Sequence, residues 1–346
     1  MKIFINSRCL NKPMTGVQRY LNSVMKGLED FQIQSELIQP PSFLSSGLFG
    51  YFWEQCMLPF KIPKKALLWS PANIGPIFYT NQVVTAHDLA WLDHPEWFKF
   101  QYVQIYKFIN PILLKKCRLI LTVSEYSKKR MMETFGISEK KIIVTGNYID
   151  EKFKVYDSGR ISACLKKYKL TKPYVLSVGS LEPRKNIQRL LEAWSLLPKF
   201  HASYDLIVIG SAGVVFKNQG INRSKNYEST LFLGRVSDDD LCFLYAGALL
   251  FAYPSLYEGF GFPILEAMAS GVPVLSSNIT SIPEVAGDAA YLINPYSIDE
   301  IAQGLSDLLS NQDLREQYIQ KGFKQLELFS REKVMQKFKT AFESVL

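Results

Sequence analysis

Apolar and polar positions switch between two periods along the whole chain. KIFIN (2–6) is a short apolar run with a β bias. Residues 15–28 then place Val17, Tyr20, Leu21, Val24, Met25 and Leu28 at helical spacing. Further strand patterns run over 35–38, 66–69, 82–85, 119–123 and 141–144, with helices near 97–115 and 125–135. The pattern weakens over 150–172 and then restarts. YVLSVG (174–179), DLIVIG (205–210), STLFLG (229–234), ALLFAY (248–253) and PVLSS (273–277) read as strands. Helices follow near 186–198, 238–247, 263–270, 297–310 and 312–327. Such alternation predicts βαβ units, and therefore two doubly wound α/β halves with parallel sheets. Sheets of this kind bind ligands beyond the carboxyl ends of their strands, at the topological switch point. Two facing halves place the site in a cleft.

The boundaries expected are 1–158 for a first Rossmann-like domain and 159–329 for a second. A closing helix at 330–346 starts at Ser330, a favoured cap, and carries Val334, Phe338, Phe342 and Val345 on one stripe. It is expected to pack across the domain junction.

The chain has 346 residues, 47% hydrophobic and 21% charged, which suits two globular units and excludes disordered, collagen-like and coiled-coil classes. Five cysteines, an odd count with no CxxC pair, argue for a reducing compartment without a disulfide framework or zinc site. The N-terminus shows no signal-peptide pattern. The longest uncharged stretch, 66–87, is interrupted by Pro71, Asn73, Pro76 and Asn81, so it does not read as a membrane span. A cytoplasmic location is expected.

Charge is uneven. The net value is +8; residues 1–150 hold 18 Lys+Arg against 11 Asp+Glu, or +7, leaving +1 for the rest. Either the first half has an anionic partner, such as a membrane surface, or it is simply a basic solvated face. The aromatic stretch at 43–60 precedes Lys61, Lys64 and Lys65. A helix packed on the first domain is the expectation there, with a membrane-facing element as the alternative. No motif for reading nucleic acid is present.

Four segments carry candidate chemistry. In PSLYEGFGFPILEAMASG (254–271) a buried strand ends at Pro254, and Pro263 marks a helix start. The amides of Gly259, Phe260, Gly261 and Phe262 then lie by a helix N-terminus, where anions bind. Glu258 falls in the loop and Glu266 about one turn inside the helix. They suit the vicinal diols of a hexose and a ribose, or else a loop cap and a helix-dipole acid. In VGSLEPRKNIQRL (178–190), Arg184 and Lys185 stand at a strand's carboxyl end, and Asn186 is expected to cap the next helix. They suit a diphosphate, or a solvated Glu182–Arg184 pair. His87 ends the strand in VVTAHDL (83–89), and Gly16 opens a helix in MTGVQRY (14–20); the latter is not a dinucleotide fingerprint.

Together these residues resemble glycosyltransferase family 4, retaining enzymes of the GT-B architecture. The strongest part is EGFGFPILEAMASGVPV, with SVGSLEPRKN, VTAHDLAWL, LTVSEYSKKRM and LYAGALLFAYPS in order. MTGVQRY is similar to bacterial members that build O-antigen, capsule or exopolysaccharide. The resemblance implies two facing Rossmann-like sheets and retaining, metal-independent transfer of a hexose from a nucleotide sugar, GDP-mannose or a UDP-hexose. The acceptor implied is a glycan or a polyprenyl-diphosphate-linked glycan, and no cofactor is required. Catalytic roles fall on Glu258, His87 and Lys185. Donor binding falls on Arg184, Lys185, Glu266, Gly259, Phe260, Gly261, Phe262, Gly16, Ser180 and Val236. Three positions depart from the family: Ser180 replaces a usual Arg, the hinge reads Gly146-Asn147-Tyr148, and Arg331 follows the closing serine where Trp is common. The other readings are a silent nucleotide-sugar-binding protein and a GT-B epimerase or phosphorylase.

Overall fold

The structure is a computed structural model and describes residues 2–11, 16–211 and 227–345. Met14 and Thr15 of the MTGVQRY segment lie outside the described residues. The chain divides into two compact units. One comprises Met1–Pro95, Phe100–Tyr148 and Phe329–Leu346, and the other comprises Glu96–Lys99 and Ile149–Leu328.

In the first unit, six strands form one sheet: β1 (Lys2–Asn6), β2 (Gln34–Ile38), β3 (Leu67–Ser70), β4 (Gln82–Thr85), β5 (Leu119–Thr122) and β6 (Ile142–Val144). Their order is β2-β1-β3-β4-β5-β6, and every pairing is parallel. β3, β4 and β5 are buried along their whole length, the pattern of a sheet covered on both faces. The order turns back between β1 and β3.

The second unit repeats the plan with β7 (Tyr174–Val178), β8 (Asp205–Ile209), β9 (Thr230–Gly234), β10 (Leu250–Tyr253), β11 (Val274–Ser277) and β12 (Ala290–Ile293). The order is β12-β11-β10-β7-β8-β9, again all parallel, and it turns back between β7 and β10. Val175, Leu206, Val208, Leu250 and Leu275 of the sheet meet Leu190, Leu191, Trp194, Ile301, Leu305 and Leu308 from two helices in one core. β8 lies so close to the turn after β7 that a Cβ on Gly210 would stand 1.8 Å from the Gly179 carbonyl oxygen.

Helix starts follow side-chain capping. Ser124, Asp157, Ser237, Ser297, Asn311 and Ser330 each accept a hydrogen bond from an amide of the first turn. The boundary differs from the expected 158/159, because the chain joins the second unit at Ile149. Phe153 and Tyr156 anchor residues 149–157 there, packing on Tyr245 and Phe243 at 5.6 and 4.7 Å between ring centroids. The closing helix, Arg331–Glu343, belongs to the first unit rather than standing apart. Phe338 and Phe342 lie 6.1 and 5.7 Å from Trp69, and Phe338 lies 6.0 Å from Tyr20.

Candidate functional site

The second sheet turns back at β7 and β10, so the loops after these strands flank its ligand-binding position. A 3-10 turn, Pro183–Lys185, forms the first loop. The second leaves β10 at Pro254 and ends at Gly261, the cap of helix Phe262–Ala269, with Pro263 in its first turn. Gly261 has φ +114°, open to glycine and strained for other residues. Two links tie the loops together. The Leu256 amide donates to the Arg184 carbonyl at 2.7 Å. The Asn186 side-chain amide donates to the carbonyls of Pro254 and Pro295 at 3.0 and 2.7 Å. Asn186 stands at the expected N-cap position of helix Ile187–Ser195, but with φ 58° and without a side-chain capping bond, because its side chain holds two other loops.

Five side chains converge in this frame. Lys185 Nζ donates to Glu258 Oε1 and to Tyr253 Oη, both at 2.6 Å. Tyr253 Oη donates to the same Oε1 at 2.7 Å. Arg184 Nη1 donates to Glu258 Oε2 at 3.1 Å, and its Nε donates to Glu182 Oε1 at 2.5 Å. Glu258 is 5% exposed and Lys185 7%, so the Glu182–Arg184 pair belongs to a buried network rather than a solvated loop. Burial pushes the Glu258 carboxyl up, but the Lys185 and Arg184 charges and the hydrogen bonds from Lys185 and Tyr253 outweigh it, holding it down to about 2. Burial and the adjacent guanidinium lower Lys185, against the pull of Glu258 and Glu182. Burial and the Glu258 charge raise Tyr253 well above the usual phenol range, so it stays a donor.

The cluster keeps donors in reserve. An ammonium has three, and Lys185 uses two among the described residues. The amides of Gly259, Gly261 and Phe262 make no hydrogen bond there either. Ser281 Oγ holds the loop by donating to the carbonyls of Glu258 and Phe260 at 2.8 and 3.0 Å. Glu266 is buried one turn inside its helix, and its charge reaches Cys242. Ser180 and Val236 are half-buried, in the loops after β7 and β9.

Gly16 and His87 belong to the first unit. Gly16 is exposed at the start of helix Gly16–Asp30. His87 is half-buried past β4, with its ring edge-on to Tyr20 at 4.6 Å. Its Nε2 lies 2.8 Å from the Pro71 carbonyl oxygen, which only accepts, so Nε2 carries the proton and Nδ1 is an acceptor. Burial lowers this imidazole, against the Pro71 hydrogen bond and the Asp88 charge, and favours the neutral ring.

Sequence reasoning missed Tyr253 because an aromatic residue ending a buried strand reads as core. It also missed Arg8 and Glu54, paired at 2.9 Å past β1, where the first sheet turns back. Asn6 donates to the other Glu54 oxygen at 2.6 Å, and the Arg8 guanidinium lies over the Tyr51 ring at 4.8 Å. The 46-residue separation of the pair hides it from local pattern. Among the described residues no group of three side chains is placed to hold a metal ion.

Residues 165–325 match the family model of glycosyl transferases group 1. The chain is 37% identical over 267 residues to O-antigen chain mannosyltransferase B of Escherichia coli, covering 74% of this chain and 70% of that one. It is 31% identical over 248 residues to the serotype-specific mannosyltransferase WbdA of Escherichia coli, covering 66% of this chain but only 29% of WbdA. HepE of Anabaena, solved in complex with UDP-glucose, superposes with a TM-score of 0.76 at 18% identity, over 99% of this chain and 100% of HepE.

Proposed function

The chain belongs to the glycosyl transferases group 1 family and is a glycosyltransferase of GT-B fold, and from that premise we propose that it moves a mannosyl residue from a nucleoside diphosphate mannose, GDP-mannose first, onto a bacterial surface glycan. The acceptor is a glycan or its polyprenyl-diphosphate-linked form. The mannosyltransferases among its relatives support this choice of sugar. The observation that carries the chemistry is the buried Lys185–Glu258–Tyr253–Arg184 cluster at the turning point of the second sheet.

In this reading the donor diphosphate takes the reserve proton of Lys185, the Arg184 side chain and the amides of Gly259, Phe260, Gly261 and Phe262. Glu258 accepts from hydroxyls of the transferred sugar, and Glu266 holds the ribose. Ser180 borders the diphosphate, and Val236 passes near the base. In the first unit, Gly16 leaves the backbone open to a phosphate at a helix start, and His87 offers Nδ1 as an acceptor to a hydroxyl. As the glycosidic bond breaks, charge grows on the leaving phosphate oxygen. A unit charge about 4 Å away is worth roughly 4 kcal/mol at an effective dielectric near 20. Realised in the transition state alone, that is about a thousandfold in rate. Lys185 therefore supplies the field that departure needs, and the reaction is read as metal-independent. The leaving oxygen takes the acceptor proton as the new bond forms on the same face, which retains configuration.

The test is a donor panel of GDP-mannose, UDP-glucose and dTDP-rhamnose with a mannose-terminated acceptor, each with and without EDTA. Release of GDP from GDP-mannose, unaffected by EDTA, with an axial product linkage by NMR, is expected. GDP at 100 times its Kd should stabilise the fold by about 2.7 kcal/mol, visible as a rise in Tm. Binding without turnover on any acceptor would favour a silent binder; inversion at the anomeric carbon would overturn the mechanism.

A further inference from the structure

Residues 47–61 form one helical run made of Gly47–Phe52, a π-helical turn Trp53–Met57, and Leu58–Lys61. Glu54 fastens the run to Asn6, the last residue of β1, and to Arg8 just beyond it, and the chain then returns to the start of β3. Trp53 and Leu58 are buried with Phe4, Ile38 and Leu68, which meets the expectation of a helix packed on this unit. The opposite face is apolar too. Phe49, Phe52 and Phe60 are 68%, 55% and 89% exposed, and Leu48 beside them is 67% exposed. A helix apolar on both faces needs an apolar medium on both. These four side chains expose on the order of 500 Å², near the upper end for the largest patch on a typical monomer.

Cations border the row. Lys61 ends the helix, and Lys64 and Lys65 follow, all exposed. Asn81 joins this turn to the start of β5: it donates to the Lys65 carbonyl at 3.0 Å and accepts from Arg118 at 2.9 Å. Phe78, 78% exposed, lies three residues before Asn81, and the Lys116 ammonium is 5.9 Å from its ring. Lys61, Lys64, Lys65 and Lys116 have no acidic partner among the described residues.

We propose that this aromatic and basic face of the first unit docks on an anionic phospholipid bilayer. Phe49, Phe52 and Phe60 enter the boundary between head groups and acyl chains, while the lysines meet the head-group phosphates. Unpaired lysines beside aromatic residues fit a lipid surface better than a protein interface, which is depleted in Lys. The proposal goes beyond the transfer reaction, and the transfer reaction does not depend on it.

The full chain should sediment with vesicles of equal phosphatidylcholine and phosphatidylglycerol, and stay in solution with phosphatidylcholine alone. Binding should fall at ~1 M salt, where the screening length shrinks to about 3 Å. The variant Phe49→Ser/Phe52→Ser/Phe60→Ser should lose binding. Lys61→Glu/Lys64→Glu/Lys65→Glu should weaken it by at least about a hundredfold. An unchanged Tm response to GDP in both variants shows an intact fold and keeps this test separate from that of the donor site. Failure of the wild-type chain to bind anionic vesicles overturns the proposal, as does undiminished binding by both variants. Sedimentation velocity without lipid supplies the remaining check: a wild-type dimer that the phenylalanine variant converts to monomer would assign the face to a second copy of the chain.

Discussion

Glu258 accepts hydrogen bonds from three side chains, and its ionisation is bound up with folding. Its folded pKa of about 2 lies below the ordinary 4.5, so its stabilising contribution is fully present above about pH 4.5 and lost as pH falls toward 2. Thermal unfolding followed from neutral pH down through this window should show Tm falling, with a shallower fall in Glu258→Gln, which has no carboxyl to protonate. In turnover, Glu258→Gln should lower kcat by roughly a hundredfold or more, while Kd for GDP stays within a few-fold, because its proposed partner is the sugar. Lys185→Ala should do the reverse in binding, raising Kd for GDP at least about tenfold. It should also lower stability by about 3 kcal/mol, since Glu258 and Tyr253 lose a buried donor; calorimetry of the variant with and without GDP separates the two effects. Near-normal turnover in Glu258→Gln would remove the role given to this carboxylate. At this scale the two glutamates and the adjacent cations were legible because their spacing places them around a strand end and a helix start. Tyr253 and the Arg8–Glu54 pair were not, because residues remote in sequence complete those networks.

The periodic elements were the most legible. The strand at 119–122 carries a nearly unbroken apolar run and the strand at 82–85 a β-branched centre, Val83 and Val84, and the helix at 125–135 has a serine before it and a glycine after it. β12 escaped notice because Ala290–Ile293 follows a turn at Gly287 and is buried only at its two ends, unlike the fully buried four-residue strands. The helix Ser158–Lys167 escaped because its stripe, Ile161, Cys164 and Leu165, is short and closely follows Gly159, with Cys164 alone buried. The run 47–61 was legible on one face only, since sequence showed aromatic residues without showing which pointed inward. Strand spacing also makes a prediction at Gly210, whose φ is +150°. A methyl group there collides with the Gly179 carbonyl, so Gly210→Ala should cost roughly 3 kcal/mol or more. Denaturant unfolding measures the loss. It should also weaken GDP binding, because β7 and β8 would part beside the loop that carries Arg184 and Lys185. A neutral Gly210→Ala would mean that β8 relaxes freely, and that the loop after β7 is not positioned by it.

At the scale of the molecule, two sheets of the same size differ in strand order, and the polypeptide leaves the first unit at Tyr148 and re-enters it at Phe329. The doubly wound plan followed from alternation alone. The unit to which the last helix belongs did not, because amphipathic spacing names a buried face without naming its cover. Phe338 and Phe342 answer that with Tyr20 and Trp69, and Gly27 is tight against Met335: a Cβ there would meet its sulfur at 2.3 Å. Truncation before Phe329 should therefore destabilise the first unit while the second keeps its own unfolding transition. Hydrogen exchange, resolved by segment, should show protection lost over 16–30 and 67–70 and retained over 174–178 and 250–253. Equal loss in both units would show that neither holds its fold alone.

The late return of the chain has a consequence for biosynthesis. Domains generally fold in the order in which they leave the ribosome. Here the first unit emerges early, yet Tyr20, Trp69 and Gly27 wait for residues 331–343. The second unit, continuous over 149–328, is translated in full during that wait and has all its strands before its predecessor is finished. The nascent first unit thus spends about the time of two hundred peptide bonds, some 10–40 s at bacterial rates, with an uncovered aromatic surface. That interval leaves the apolar surface around Tyr20 and Trp69 open to whatever binds apolar segments on a translating ribosome.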